Sequence, residues 1–304
     1  MASNSLQGIE TAEHLPPSGS GGLERSCSGG FFGGLRIAAP TRGIERLEAR
    51  FHGNGFSPHR HDTFALGLTL HGVQTFRYRG TERFSHPGRV IVLHPDEVHD
   101  GAAGTEAGLV YRMVYLPPDL IGAVDGHGSA LPFVADPVVA DPELWGALAD
   151  LLADLDQEPD DLAIDDAVGR IAAGLCRQAG APRKATTAIA RSAVLQARDF
   201  LHSHCAETVR SESLEALTGL DRHVLARHFR LLLGTSPHRY LVMRRLDLAK
   251  TLLVAGSSLA GAATEAGFAD QAHFTRHFRA AIGMTPGRWL AMQDRRQDPH
   301  RAAT

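Results

Sequence analysis

Arginine, histidine and aromatic residues recur at the same spacing in two stretches of the C-terminal third. The first reads ARHFRLLLGTSPHRYL over 226–241, and the second reads TRHFRAAIGMTPGRWL over 275–290. Guanidinium groups can contact phosphates or guanine edges through two parallel hydrogen bonds. The constant offset of 49 residues therefore indicates one binding unit that occurs twice.

The charge distribution agrees with a polyanionic partner. Residues 184–304 hold 17 Lys and Arg against 10 Asp and Glu, whereas residues 1–183 hold 14 against 24. A basic end on an acidic remainder is typical of a chain whose basic end meets nucleic acid. Cys27, Cys176 and Cys205 are far apart and form no CxxC motif, so they predict neither a disulfide framework nor a zinc site.

The elements that must position the repeated residues are helices. Leu225, Phe229 and Leu233 stand four residues apart on one helical stripe, and Gly234 follows where a left-handed residue ends a helix. Ser236-Pro237 then begins another helix. Each copy is preceded by a short helix and a turn containing glycine, which is the helix-turn-helix pattern. We predict about seven helices from residue 187 onward, with one long helix joining the two units.

Residues from about 190 to 292 resemble the DNA-binding domain of AraC-type transcriptional regulators. The motifs that carry the resemblance are SLEALTGLDRHVLARHFRLLLGTSPHRYLVMRRLDLAKTLL and EAGFADQAHFTRHFRAAIGMTPGRWL. The resemblance implies seven helices and two helix-turn-helix units on one connecting helix. The stretch LAGAATEA at 259–266 departs from the family, because small residues and Gly261 replace an isoleucine-rich helix.

The family pattern implies which side chains meet DNA. The base-reading candidates are His223, Arg227, Gln271, His273 and Arg276. The phosphate-contacting candidates are Arg222, Arg230, Arg239, Arg279 and Arg288. A solvated helix surface is the ordinary alternative for any one of these arginines. His273 and His277 lie four residues apart and could share a metal, but the H-E-x-x-H motif of zinc proteases is absent, so we predict no catalysis there.

Residues 31 to about 120 alternate between apolar and polar positions in short runs with glycine turns, which predicts a β-sandwich or barrel. Two amphipathic helices should follow, one from Pro142 with Asp141 as its cap and one over about 161–179. The leucine-rich helix at 142–156 is the expected dimer contact, as the family resemblance implies. The alternative is a helix that packs on its own barrel.

The stretch SPHRHDTFALGLTLHGVQTFRYRG followed by GRVIVLHPDEVHDGA resembles the cupin-like sensor barrel common in the same family. In metal-binding cupin enzymes, a Glu joins residues corresponding to His59, His61 and His99, but Ala65 stands in its place here. We therefore expect an organic effector and no metal or other cofactor, although three imidazoles can bind zinc. The effector-binding candidates are His59, His61, Phe64, Phe76, Tyr78, His99 and Tyr111, with Tyr115 as a further lining residue. The aromatic residues could instead simply fill the core.

The predicted organisation is an all-β cupin-like barrel followed by an all-α double helix-turn-helix domain. The expected segments are a disordered tail (1–30), the barrel (31–138), a helical dimerisation segment and linker (139–182), the DNA-binding domain (187–292) and a flexible tail (293–304). No run of about 18 apolar residues and no signal peptide is found, so we expect a cytoplasmic protein without membrane contact.

The predicted function is transcription regulation by sequence-specific binding to double-stranded promoter or operator DNA, under the control of a small-molecule effector. A homodimer is expected, and RNA polymerase is a further candidate partner. Two alternatives stay open: a metal-dependent cupin enzyme fused to a DNA-binding module, and a dimeric DNA binder that responds to no effector.

Overall fold

The computed structural model describes residues 32–124, 130–180 and 187–297. The tail expected at 1–30 lies outside these residues. At the other end, the last helix continues to Gln297, beyond the boundary expected at residue 292. Within the described ranges, none of the helices has the length and apolar character needed to cross a bilayer.

Among the described residues, ten strands build the N-terminal domain. They are β1 (Phe32–Ile37), β2 (Glu45–Phe51), β3 (Asn54–His59), β4 (Phe64–His71), β5 (Gln74–Tyr78), β6 (Thr81–Ser85), β7 (Val90–Leu93), β8 (His99–Ala103), β9 (Leu109–Leu116) and β10 (Val138–Val139). One antiparallel sheet has the order β1-β2-β9-β4-β7-β10, and the second has the order β3-β8-β5-β6. This confirms the predicted all-β, cupin-like domain.

The β5–β6 hairpin shows how the sequence sets the strands. Gly80 adopts a φ of 76° at the turn, a conformation that costs glycine little. Gln74 pairs with Ser85 and Tyr78 with Thr81, so Gln74, Phe76 and Tyr78 alternate onto one buried face. The alternation of this stretch thus gives the strand one buried face.

Helices cover the outer surface of the larger sheet. Helix α1 spans Pro118–Val124, α2 spans Pro142–Leu151 and α3 spans Asp161–Ala179. Asp141 caps α2 as predicted, because its carboxylate accepts a hydrogen bond from Leu144 N–H at 2.9 Å.

The leucines of 142–156 are not available to a second chain. Leu144, Leu148, Leu151, Leu152 and Leu155 are all buried in one cluster with α3 and with the outward-facing residues of β4, β7 and β9. These leucines therefore form no contact with a second chain in this arrangement, and the expected role of the helix in dimerisation stays a prediction that would rest on its outward side. The helix packs on its own barrel, because the sheet presents an apolar outer surface that needs a cover.

Over residues 187–297 the C-terminal domain has seven helices, the number predicted. They are α4 (Ala188–Ser203), α5 (Ser211–Thr218), α6 (Arg222–Leu233), α7 (Pro237–Val254), α8 (Leu259–Glu265), α9 (Gln271–Ile282) and α10 (Pro286–Gln297). The pairs α5–α6 and α8–α9 are the two helix-turn-helix units. Gly219 and Gly267 in the turns, and Gly234 and Gly283 after α6 and α9, all have positive φ.

The two units have separate cores joined by α7. Phe229 is fully buried in the cluster of the first unit, and Phe274 and Phe278 are fully buried in the cluster of the second. Gly261 weakens α8 less than expected from a central position, because it lies in the first turn and its N–H donates to the Ser258 hydroxyl at 3.0 Å.

Candidate functional site

A cavity of about 1100 Å³ lies inside the barrel and opens toward the C-terminal helices. Its inner wall is largely apolar and includes Leu47, Phe76, Ile91, Tyr111 and Met113. Concave, mostly apolar cavities with a few polar groups are the usual form of a small-molecule site. The barrel therefore has the room and the surface chemistry for an organic ligand.

Three histidines form a cluster in the wall of this cavity. The ring centroids of His59 and His99 are 4.3 Å apart, those of His61 and His99 are 4.9 Å apart, and those of His59 and His61 are 6.2 Å apart. Strand β3 ends at His59 and β8 begins at His99, and these two residues are paired across the strands. The His-x-His spacing and the later histidine thus meet as the resemblance implied.

Backbone carbonyls fix the protonation pattern of the cluster. Each Nδ1 lies 2.8–3.0 Å from a carbonyl oxygen two residues away, that of Ser57, Thr63 or Glu97. Because a carbonyl only accepts, each Nδ1 must donate its hydrogen and each Nε2 is left as an acceptor. Burial lowers the pKa of all three rings, that of His61 to about 3. The cluster is therefore neutral near pH 7.

The cluster lacks the carboxylate ligand of metal-binding cupins. Ala65 occupies the place where metal-binding cupins have a glutamate, so the described donors are three imidazoles without that carboxylate. Among the described residues, no group of three or more His, Cys, Asp or Glu side chains has an arrangement that could hold a metal ion.

Five of the seven predicted effector-binding residues line the cavity: His59, His61, Phe76, His99 and Tyr111. Tyr115 lines it as well.

Phe64 and Tyr78 are corrections to the prediction. Phe64 faces outward into the cluster beneath α2 and α3, with its ring 5.2 Å from that of His94. Tyr78 is buried in the same inner cluster as Phe76 but does not line the cavity, and its hydroxyl accepts a hydrogen bond from His94 N–H at 3.1 Å.

Helix α7 supplies lining residues that the sequence analysis missed. Tyr240, Met243, Arg244, Asp247 and Lys250 all face the open end of the cavity. The charged residues of RRLDLAK interrupt a helix whose other face is a buried core stripe. That interruption was the available signal, but it did not identify the barrel as the partner.

Ion pairs join the two domains around the open end of the cavity. Arg244 Nη2 donates to Asp62 Oδ2 at 2.9 Å, and Lys250 Nζ donates to Glu45 Oε1 at 3.3 Å. Burial raises the pKa of Asp62 even though Arg244 lies beside it. The backbone also takes part, because Arg60 N–H donates to the Ala280 carbonyl at the end of α9, at 3.0 Å.

Four of the base-reading candidates are exposed, and the fifth contacts a neighbouring histidine. His223, Arg227, Gln271 and Arg276 are exposed on α6 and α9. His273 is half-buried, and its Nε2 lies 2.9 Å from Nε2 of His277. Burial lowers the pKa of His277 to about 4, so the His277 ring is uncharged near pH 7. His273 is therefore held within its own helix in this arrangement.

The phosphate-contacting candidates also differ in accessibility. Arg230 is exposed, and Arg279 and Arg288 are half-buried. Arg222 is exposed but paired with Glu212 and Glu215 of α5.

Arg239 contradicts its predicted role in this arrangement. It is only 7% exposed, and its guanidinium donates to the Arg60 carbonyl at 2.7 Å and lies 3.4 Å from Asp96. The barrel covers this residue, so it cannot contact a phosphate while the domains are docked.

Comparisons with protein families agree with these two domains. Residues 42–172 match the AraC-like ligand binding domain, and residues 214–292 match a helix-turn-helix domain. The HTH-type transcriptional regulator YbfI of Bacillus subtilis (strain 168) is 26% identical over 223 residues, which are 72% of this chain and 81% of YbfI.

Solved structures of ToxT from Vibrio cholerae share the fold. One has a TM-score of 0.60 at 10% identity and covers 82% of this chain and 98% of its own. A second, bound to an unsaturated fatty acid, has a TM-score of 0.59 at 10% identity and covers 85% and 94% of the two chains. At this identity the likeness establishes the two-domain fold alone.

Proposed function

Since the chain combines the ligand-binding and helix-turn-helix domains of an AraC-type transcriptional regulator, we propose that a small molecule in the barrel controls its binding to specific DNA sites. The observation that carries the proposal is the shared cavity, whose walls come from the barrel and from the DNA-binding domain. The regulator-type domain pair argues against an enzymatic role.

The DNA contacts follow from the exposed faces of α6 and α9. Arg227 and Arg276 each lie in a recognition helix, and Arg reads guanine through two hydrogen bonds, whereas Gln271 suits adenine. Arg230 and Arg279 follow one turn later and would contact phosphates, which position the protein without selecting sequence. His223 and His273 complete the base-reading set, the latter after its contact with His277 breaks.

The effector would act by stabilising the docked arrangement of the two domains. A ligand that touches both walls of the cavity gains contacts in the docked state that it loses in the undocked one, so it shifts the population toward docking. Docking buries Arg239 and joins the end of α9 to Arg60, the residue after β3, through the hydrogen bond from Arg60 N–H to the Ala280 carbonyl. We therefore propose that the docked state binds DNA more weakly and that the effector lowers DNA affinity.

We further propose that the protein acts in the cytoplasm as a homodimer on paired sites at promoters, with RNA polymerase as a candidate partner. The dimer surface must lie outside the leucine face of α2, because that face is buried in the barrel's own cover.

Selection from random DNA provides the site on which the proposal is tested. Binding of the full chain to the selected site should weaken steeply with salt, with a slope of about −0.9 for each phosphate contact. Arg276→Ala should lose preference at one base position, and Arg279→Ala should weaken all sequences alike. Recovery of no preferred sequence, or binding that does not change with salt, would contradict the proposal.

A further inference from the structure

The histidine cluster offers a ligand hydrogen-bond acceptors only. The carbonyls of Ser57 and Thr63 and that of Glu97 oblige each Nδ1 to donate, so Nε2 of every ring has a lone pair and no hydrogen. A carboxylate has no hydrogen to donate, so its oxygens would be repelled by the lone pairs of these nitrogens. A hydroxyl or amino group would supply the missing hydrogens.

Nε2 of His61 is the atom of the cluster that most clearly needs a hydrogen-bond donor from a ligand. His61 lines the cavity, its Nε2 is fully buried, and this nitrogen has no hydrogen-bond partner among the described residues. A buried acceptor left in this state costs about 1–3 kcal/mol. A donor brought by a ligand would remove that cost.

Cations elsewhere in the cavity are already neutralised. Arg244 is held by Asp62 and Asp247, and Lys250 by Glu45 and Asp247, all at the open end. An anionic head group there would have to displace one of these carboxylates. The remaining inner wall is mostly apolar and suits a hydrocarbon body.

Resting on the proposed function, we infer that the effector is an apolar molecule whose head group donates hydrogen bonds, a hydroxyl or an amino group, to the cluster of His59, His61 and His99. The head group sits at the cluster, and the apolar body packs against the apolar inner wall of the barrel. The inference specifies the chemical class of ligand for the shared cavity.

Four probes of similar length test this inference by calorimetric titration of the full chain. They are n-decanol, n-decylamine, n-decanoate and methyl nonyl ether, the last being an isomer of n-decanol without a donor. We expect n-decanol to bind about 5- to 150-fold more tightly than the ether, which corresponds to the cost of about 1–3 kcal/mol for leaving a buried acceptor unpaired. n-Decylamine should also bind more tightly than the ether, and n-decanoate should bind more weakly than n-decanol.

Variants assign the preference to the cluster. His61→Phe should reduce the affinity ratio of alcohol to ether to about 1, and His61→Gln, which retains an acceptor, should restore part of it. His71→Phe, an equivalent change at an exposed histidine outside the cavity, should leave the ratio unchanged. Circular dichroism and thermal unfolding identify any variant that fails to fold, in which case the isomer comparison in the unaltered chain decides.

Several outcomes overturn the inference. These are equal affinity for the two isomers, tighter binding of n-decanoate, binding of none of the four probes, and stoichiometric zinc binding that His61→Phe abolishes. Parallel DNA titrations separate this failure from that of the proposed function. If the probes bind in the expected order but leave DNA affinity unchanged, the ligand class stands and the proposed control of DNA binding fails.

Discussion

Removal of Arg244 should release the DNA-binding domain from the barrel. Arg244 is the partner of Asp62, whose side chain is only 6% exposed. Arg244→Ala leaves this buried carboxylate uncompensated in the docked state, whereas undocking exposes it to water. Breaking a buried pair in this way costs about 3–5 kcal/mol, and the lower value shifts the docking equilibrium about 150-fold.

The partner substitution should have a smaller effect. In Asp62→Asn the amide oxygen still accepts a hydrogen bond, and Arg244 retains Asp247 at 3.2 Å and the Tyr240 ring at 4.9 Å. We expect a loss of about 1 kcal/mol, which is about 5-fold in the docking equilibrium. Docking is weakened more by Arg244→Ala because that variant leaves a buried carboxylate without a partner, whereas Asp62→Asn leaves an arginine that still has Asp247.

Hydrogen exchange at one amide reports docking directly. Arg60 N–H donates to the Ala280 carbonyl across the domain boundary, so its protection should fall about 150-fold in Arg244→Ala and about 5-fold in Asp62→Asn. Amides within β4 and β9 should keep their protection. Arg36→Ala, which removes a largely exposed pair with Asp156 inside the N-terminal domain, is the matched control. Equal protection of the Arg60 amide in all four proteins would refute the reasoning.

Three further changes test the DNA contacts, the core and the histidine cluster. Arg227→Ala should cost about 1–3 kcal/mol of discrimination at one base position, whereas Arg230→Ala should weaken all sequences and lower the salt slope by about 0.9, as binding to a library of site variants would show. Phe278→Ala should lower the free energy of unfolding by about 3–5 kcal/mol in urea titrations, whereas Phe84→Ala, at a position 52% exposed, should change it by less than about 0.5 kcal/mol. His61 has a pKa of about 3 when folded and about 6.5 when unfolded, so the unfolded state binds more protons below pH 6.5 and the protein becomes less stable as the pH is lowered. Between pH 7 and pH 5, the free energy of unfolding of the unaltered chain should therefore fall by about 2 kcal/mol more than that of His61→Phe.

Local signals explain why the helical domain could be predicted from the sequence. Gly234 and Gly283 take left-handed conformations after the recognition helices, and the Ser236 hydroxyl accepts the N–H of Arg239 at the start of α7. These interactions lie within a few residues, so their sequence pattern determines them. The number of helices and the turn positions followed directly.

The direction of the barrel residues could not be predicted in the same way. Strand β4 is buried on both faces, with Phe64 beneath the covering helices and Ala65 inside the barrel. Apolar residues occupy both sets of alternate positions, so hydropathy did not show which set lines the cavity. The large Phe64 was predicted to line the cavity, but it faces outward, and the small Ala65 faces the interior of the barrel.

Contacts between domains were the least accessible feature. Arg239 has the sequence context of an exposed helix residue, but the barrel buries it through the Arg60 carbonyl and Asp96. The pairing of Asp62 with Arg244 joins residues 182 positions apart. No pattern within either domain encodes such a contact, because each partner alone reads as an ordinary surface charge.

The most direct test of the account is the dissociation constant for the selected DNA site, measured with and without the tightest-binding of the four probes. In the unaltered chain the probe should weaken DNA binding, because it stabilises docking. Arg244→Ala should bind the site more tightly without the probe and should respond to it less. An unchanged dissociation constant in the unaltered chain, or an equal response in both proteins, would contradict control of DNA binding through the shared cavity.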